Sequence, residues 1–248
     1  GRHSGYSTTT SANNTAVGYN SLEANTTGAG NTAVGALALD ANTTASDNTA
    51  VGYQALTTNT TAANNTAVGV SALKLTTTGA NNTAVGRGAL LANTTGTSLV
   101  AVGAGALDAN TTANSNVAVG AAALGANTTG ANNTAVGDNA LLANTTGGDN
   151  VAVGALAGDA LTTGSDNVVL GKNALSADTA GRRSVAIGRS ALSAQNFTST
   201  TSSYNVAVGY EAGAAVTTGT QNTLIGALAG DALTAAFYNT AVGYKALS

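Results

Sequence analysis

Residues 31–52 read NTAVGALALDANTTASDNTAVG, which is a little more than one period of a repeat that runs along the whole chain of 248 residues. The tetrapeptide that ends at Gly35 returns at Gly52, 17 residues later. The interval is 17 residues everywhere except between Gly188 and Gly209, where it is 21. The repeat glycines are Gly18, Gly35, Gly52, Gly69, Gly86, Gly103, Gly120, Gly137, Gly154, Gly171, Gly188, Gly209, Gly226 and Gly243.

A short, constant period is typical of a solenoid, in which each coil buries its apolar face only by stacking on its neighbours. We therefore predict one continuous solenoid of about 14 coils over residues 1–248, with both ends inside a repeat. A loop insertion at residues 193–204 accounts for the single longer interval.

Positions within a coil are numbered from the repeat glycine, which is position 0. Position −1 is branched aliphatic, position −3 is Thr or Val, and position −2 is nearly always Ala. This alternation predicts a β-strand that ends at the glycine, where a positive φ or a close contact excludes a Cβ atom. The frequent glycines disfavour a helix, so the fold class is all-β, a parallel β-solenoid (β-roll) with strands in register.

The same alternation suggests which side chains fill the coil. We expect Val at −1 to point inward together with Leu at +4. Ala at −2 then lies on the opposite face, either in a flattened coil that contacts the same chain on both sides or in a packed seam between chains. Asn recurs at −4 and +7, and stacked Asn side chains predict amide ladders.

Composition excludes several classes of function. Charged residues make up 8% of the chain, the net charge is −3, and Cys, Met, Pro and Trp are absent. We expect no nucleic-acid binding, since no basic surface is present, and no membrane insertion, since no apolar run reaches about 18 residues. His3 is the only histidine and the carboxylates are scattered, so we predict no enzyme, no metal and no cofactor.

Cations and aromatic residues gather near the longer interval and are candidate ligand contacts. An anionic glycan or an acidic partner would suit them, although a solvated patch and a tolerated insertion are the alternatives. The candidates are Phe197, Tyr204, Tyr210, Lys172, Arg182, Arg183 and Arg189.

The recurring Asn-Thr-Thr segment has three interpretations. It matches the acceptor sequence for N-glycosylation, it is a good turn and ladder sequence, and its regular array could order water at an ice surface. The candidate glycosylation residues are Asn25, Asn42, Asn59, Asn93, Asn110, Asn127 and Asn144.

Aromatic residues are only 4% of the chain, yet several lie towards its two ends. Exposed strand edges pair readily with other chains, so we predict end-to-end contact through residues 1–12 and 235–248. The candidate junction residues are Tyr6, Tyr19, Phe237, Tyr238 and Tyr244.

The motif NTAVGxxAL, and its later variant SVAIG at residues 184–188, resemble the head repeats of trimeric autotransporter adhesins. Residues 209–226 are similar to repeats in phage tail fibres and bacterial surface proteins. The resemblance implies a left-handed β-roll, a trimer for the adhesin heads, and a location outside the cell, on its surface or in a virion fibre.

We therefore expect a structural subunit or segment of an extracellular fibre that assembles with itself through stacked ends or side seams. The alternative is a receptor- or glycan-binding head of an adhesin or tail fibre. A third hypothesis is a surface that interacts with ice or glycans.

Overall fold

The computed structural model describes residues 1–248 as strands, turns and bends, without a helix. It divides into two compact units, Gly1–Ala121 (unit 1) and Ala122–Ser248 (unit 2). Unit 1 contains β1 (Thr15–Val17), β2 (Thr32–Val34), β3 (Thr49–Val51), β4 (Thr66–Val68), β5 (Thr83–Val85), β6 (Val100–Val102) and β7 (Val117–Val119). Unit 2 contains β8 (Thr134–Val136), β9 (Val151–Val153), β10 (Val168–Leu170), β11 (Gly181–Arg182), β12 (Val185–Ile187), β13 (Thr201–Ser202), β14 (Val206–Val208), β15 (Thr223–Ile225) and β16 (Thr240–Val242).

In each unit the strand before a repeat glycine pairs in parallel with the strand of the next coil. Equivalent positions of successive coils lie side by side, as in the pairing of Thr32 with Thr49 and of Val34 with Val51. Unit 2 keeps this register across the longer interval, because Val185 pairs with Val206. The predicted all-β fold, a parallel β-solenoid of 17-residue coils, is confirmed.

The repeat glycine turns the chain at the end of each strand, and both predicted reasons for it are present. Its φ lies between 127° and 143° in every coil, and residues with a Cβ rarely adopt that backbone conformation. A Cβ on Gly35 would also lie 2.6 Å from the carbonyl oxygen of Gly52 in the next coil. Any other residue would force the two coils apart.

The buried and exposed faces of the strands are the reverse of those predicted from the sequence. In β5, Ala84 is fully buried while Val85 is 37% exposed, and the same pattern recurs along both units. The prediction that Val at −1 points inward is therefore wrong, and so is the interpretation of Ala at −2 as a seam between chains. The interior of the coil is narrow, and the −2 side chain is buried in it with Ala at +3 and Leu at +4. Position −2 is Ala in all coils but two, where Val169 and Leu224 are also fully buried. A Cβ on Gly213 would lie 2.8 Å from a Leu224 methyl group, so the larger side chain at −2 fits beside a glycine at +4.

One Leu or Val side chain fills each coil from either of two positions. Leu39 at +4 is fully buried and has a φ of 51°, an unusual backbone conformation for a leucine. In three coils +4 is glycine, and +7 is then apolar instead of Asn: Leu161, Val216 and Leu233 follow Gly158, Gly213 and Gly230. A Cβ on Gly158 would lie 3.1 Å from a methyl group of Leu161, so the +7 side chain occupies the space that Leu at +4 fills elsewhere.

Two ladders of buried Asn side chains run through the stacked coils, as predicted. At +7, the amide of Asn42 donates to the side-chain oxygen of Asn25 at 3.0 Å and to the carbonyl of Ala45 at 3.1 Å. At −4, Asn31 donates to the same Ala45 carbonyl at 2.8 Å. Its own side-chain oxygen accepts from the backbone N–H of Asn48 at 3.0 Å. The ladders satisfy polar groups that would otherwise be costly to bury.

Matched aspartate substitutions in β5 test the orientation of the strand. Ala84→Asp buries an unpaired charge, which we expect to cost about 3–5 kcal/mol of unfolding free energy. Val85→Asp places the same side chain at a partly exposed site and should cost about 1 kcal/mol. Denaturant unfolding followed by circular dichroism measures both, and equal losses would contradict the assigned orientation.

A double-mutant cycle tests the exchange of leucine between positions. Leu39→Gly alone opens a cavity, at a cost of about 2–5 kcal/mol. Asn42→Leu alone breaks the ladder and crowds the coil, costing about 1–3 kcal/mol. In the double variant the new leucine fills the cavity, so its loss should fall short of the sum by about 0.5–3 kcal/mol. Strict additivity would show that the two positions do not share one space.

Candidate functional site

The outward side chains of the strands form a continuous uncharged surface on each unit, here called the outer face. It consists of positions −3 and −1, and every residue there is Thr, Val, Leu or Ile. The −1 side chains are substantially exposed, for example Val68 at 37% and Ile225 at 40%. A solvated sheet face normally carries charged and polar residues, so this surface is unusual for one that contacts only water.

A second regular surface lies at the corner formed by positions +8 and +9. The Thr hydroxyl at +8 donates to the carbonyl of the equivalent Thr in the next coil, as from Thr26 to Thr43 at 3.1 Å and from Thr145 to Thr162 at 3.1 Å. The threonines at +9 are exposed and their hydroxyls have no partner in the chain. This corner therefore offers a single column of free hydroxyls, at +9, because the hydroxyls at +8 are already hydrogen-bonded.

The candidate glycosylation residues lie inside the coils, in the +7 ladder. Each of the seven is fully buried: Asn25, Asn42, Asn59, Asn93, Asn110, Asn127 and Asn144. The nitrogen that would carry a sugar donates hydrogen bonds instead, as from Asn144 to Asn127 at 3.1 Å. A glycan on these nitrogens is therefore incompatible with the folded coil.

The four candidate cationic side chains differ in whether other groups of the chain already bind them. Arg182 donates to the hydroxyl of Ser165 at 2.6 Å and to the carboxylate of Asp166 at 3.4 Å. Arg183 lies at the edge of the same carboxylate, 4.0 Å away. Lys172 and Arg189 are exposed, occupy position +1 of adjacent coils and form no ion pair.

The aromatic candidates separate into one buried ring and two exposed ones. Phe197 is only 7% exposed, so its ring is not available for contact with a ligand. Tyr204 and Tyr210 are 50% and 45% exposed, and each lies against an arginine of the preceding coil. The Arg183 guanidinium lies 5.7 Å from the centre of the Tyr204 ring, and the Arg189 guanidinium 6.0 Å from that of Tyr210.

A buried polar network supports the longer coil, and sequence analysis missed it. The Asp178 carboxylate accepts hydrogen bonds from the backbone N–H groups of Gly181 and Phe197, both at 3.0 Å. It also accepts from the Gln195 amide at 2.7 Å. Both residues occupy +7, the position of the Asn ladder, next to the only change of period, which is the signal that could have identified them.

Part of the predicted insertion is ordered by a second, short sheet. Within residues 193–204, Thr201 and Ser202 form β13, which pairs in parallel with Gly181 and Arg182 of β11. The backbone N–H of Ser203 donates to the carbonyl of Arg182 at 2.9 Å. The extra residues thus lie along the preceding coil, beside Arg182 and Arg183.

Few ionisable groups are perturbed. Partial burial raises the pKa of Asp40, Asp108 and Asp159, which share position +5. The pKa of Tyr210 is raised by its hydrogen bond to Glu211 and by the charge of that carboxylate.

The five candidate junction residues are all exposed. Tyr6 is 73% exposed, and Tyr19, Phe237, Tyr238 and Tyr244 range from 54% to 72%. Phe237 and Tyr238 contact each other edge to face with ring centres 5.7 Å apart, and Lys245 lies 5.6 Å from the centre of the Tyr244 ring. Their surfaces are free to contact another molecule, and the junction stays a prediction.

The structure contains no group of three or more His, Asp or Glu side chains that could hold a metal ion, and no pocket. His3 lies 3.9 Å from the Glu23 carboxylate near the surface. None of the secondary structure is a helix long and apolar enough to cross a membrane. Comparison with protein-family models, curated proteins and solved structures gave no match.

Replacement of the buried carboxylate tests the network of the longer coil. Asp178→Asn leaves one acceptor oxygen and directs an amide group towards existing donors, so we expect a loss of about 1–3 kcal/mol in unfolding free energy. Asp149→Asn is the matched control, because Asp149 is exposed and should change stability by no more than about 0.5 kcal/mol. Equal stabilities of the two variants would show that the carboxylate is not needed there.

Proposed function

We propose that this protein is a structural segment of an extracellular fibre in which copies associate through their outer faces. The observation that supports this function is the composition of the outer face. In unit 1 the face carries only Thr and Val, and in unit 2 it adds Leu170, Ile187 and Ile225. No charged side chain interrupts it in either unit.

The geometry of the outer face suits contact with another sheet. Parallel, in-register strands place identical β-branched side chains in straight columns, and two such faces can interdigitate about 10 Å apart. The Thr hydroxyls remain as the polar groups of the face, and they can bond to each other or to water along its length. Contact would remove from water the Val side chains that the isolated chain exposes.

The size of the outer face favours an extended assembly over an isolated pair. Seven strands at about 4.8 Å by three residues at about 3.3 Å give roughly 330 Å² for the face of one unit. A stable interface needs about 800 Å² per partner. The contact must therefore continue over more coils than one unit contains, which is the situation in a fibre, where many weak contacts act together.

The junction aromatics supply a second type of contact in this proposal. Phe237, Tyr238 and Tyr244 expose large ring surfaces, and aromatic side chains contribute strongly to interfaces. Contacts through these rings would add to the contacts through the outer face. The extracellular location rests on the resemblance of the repeats to those of surface fibres.

Sedimentation velocity on charge variants of the outer face tests the assembly. Val151→Lys/Val153→Lys places two charges on partly exposed positions of β9 and should shift the protein from concentration-dependent oligomers to a monomer. Thr146→Lys/Thr163→Lys adds the same charge at the +9 corner and should leave assembly intact.

Two results would contradict the proposal. One is a parent protein that remains a monomer at high concentration. The other is a Val151→Lys/Val153→Lys variant that assembles as well as the Thr146→Lys/Thr163→Lys control. Circular dichroism of both variants verifies that the coils are folded, so that loss of assembly is not loss of structure.

A further inference from the structure

We propose that the corners flanking β12 and β14 in unit 2 form a binding site for an acidic polysaccharide. Lys172 and Arg189 would pair with its anionic groups, and Tyr204 and Tyr210 would contact its sugar rings. The site is separate from the uncharged columns of the outer face, so it adds a ligand to the proposed structural function.

The first observation is the concentration of positive charge. The chain has only eight Lys and Arg residues, and four of them lie between residues 172 and 189. Asp166 neutralises part of this charge through Arg182 and Arg183. Lys172 and Arg189 have no such partner, although the stacking of the coils places them about 4.8 Å apart, where like charges repel. A bound anion would relieve this repulsion.

The second observation is that Tyr204 and Tyr210 each lie near an arginine. Arg183 donates to the Tyr204 hydroxyl at 2.9 Å and to the Ser202 hydroxyl at 3.0 Å, while its guanidinium lies near the Tyr204 ring. Arg189 lies near the Tyr210 ring in the same way, at the other end of the strand. Arg183 and Tyr204 thus lie just before β12 and β14, and Arg189 and Tyr210 lie just after them.

This combination suits a charged sugar chain. A half-exposed tyrosine presents an apolar ring face to the C–H groups of a sugar. The Tyr210 hydroxyl is bonded to the Glu211 carboxylate and the Tyr204 hydroxyl to Arg183, so the rings rather than the hydroxyls would contact the sugar. A guanidinium matches the geometry of a carboxylate or a sulfate. The absence of a pocket favours an extended ligand lying on the surface.

The change of period is what assembles the site. Ser202 and Tyr204, which hold Arg183, belong to the coil that contains the extra residues. That coil is fixed from within, because Gln195 connects Asp178 to the Ser184 hydroxyl at 2.8 Å and to the Asn205 amide at 2.8 Å. Ser184 and Ser203 also share a hydrogen bond of 2.6 Å. The exposed arginine and tyrosine side chains therefore project from a rigid support.

Position +1 provides a matched control elsewhere in the chain. Arg189 and Tyr210 occupy this position in unit 2, and Arg87 and Tyr53 occupy it in unit 1. All four side chains are exposed, so removing any of them should leave the fold intact. Arg189→Ala/Tyr210→Ala is the site variant and Arg87→Ala/Tyr53→Ala is the control, with the same loss of charge and ring area.

Isothermal titration of the full chain with polygalacturonate tests the site. We expect binding that weakens as salt rises, a loss of about tenfold or more in affinity for the site variant, and no change for the control variant. Tyr210→Phe retains the ring and should retain most of the binding. Neutral dextran should not bind.

Several outcomes would overturn the site. They are no binding of polygalacturonate, equal binding of dextran, equal losses in the site and control variants, or tighter binding of single-stranded DNA than of polygalacturonate. The test is independent of fibre assembly, because Val151→Asn/Val153→Asn should weaken self-association without changing the affinity for polygalacturonate. If the parent chain binds the polysaccharide but never assembles, only the structural proposal fails.

Discussion

The close approach of successive coils at the repeat glycine is the constraint on which the rest of the structure depends. A Cβ on Gly35 would lie 2.6 Å from the carbonyl oxygen of Gly52, so the corner admits no side chain. With that corner fixed, each strand must lie beside the equivalent strand of the next coil, and every position then forms a column. The Asn ladders, the threonine columns and the outer face are consequences of this single register.

The thin interior explains the unusual balance of polar and apolar groups. Position −2 is Ala in all coils but two, so most coils bury little apolar surface, and most of it comes from one leucine. The rest of the interior is occupied by Asn side chains whose amides bond both to the coil itself and to its neighbour. The +7 ladder ends where Leu161 follows Asn144, and there the Asn144 side-chain oxygen has no partner. Position +7 can therefore hold either a hydrogen-bonded Asn or an apolar side chain that fills the coil.

Much of this architecture could be predicted from the period, because in-register stacking leaves each position only one set of neighbours. Which face of each strand is buried could not be predicted. An alternating Val-Ala-Val pattern has the same period whichever face is buried, and the preference for burying the larger side chain fails in a coil this narrow. The candidate site was only partly predictable, since spacing could not show that Phe197 turns inward while Ser202 and Tyr204 meet Arg183.

In the proposed fibre, valines that face water in the isolated chain become the contact between copies. Methyl-labelled Ala and Val, observed by nuclear magnetic resonance with a soluble paramagnetic probe, report this directly. In dilute protein the probe should relax the Val methyl groups at −1, such as that of Val85, and spare the buried methyl of Ala84. In concentrated protein the Val methyl groups should become protected as well. Accessible Ala methyl groups in the dilute protein, or Val methyl groups that stay accessible in the assembled protein, would contradict the account.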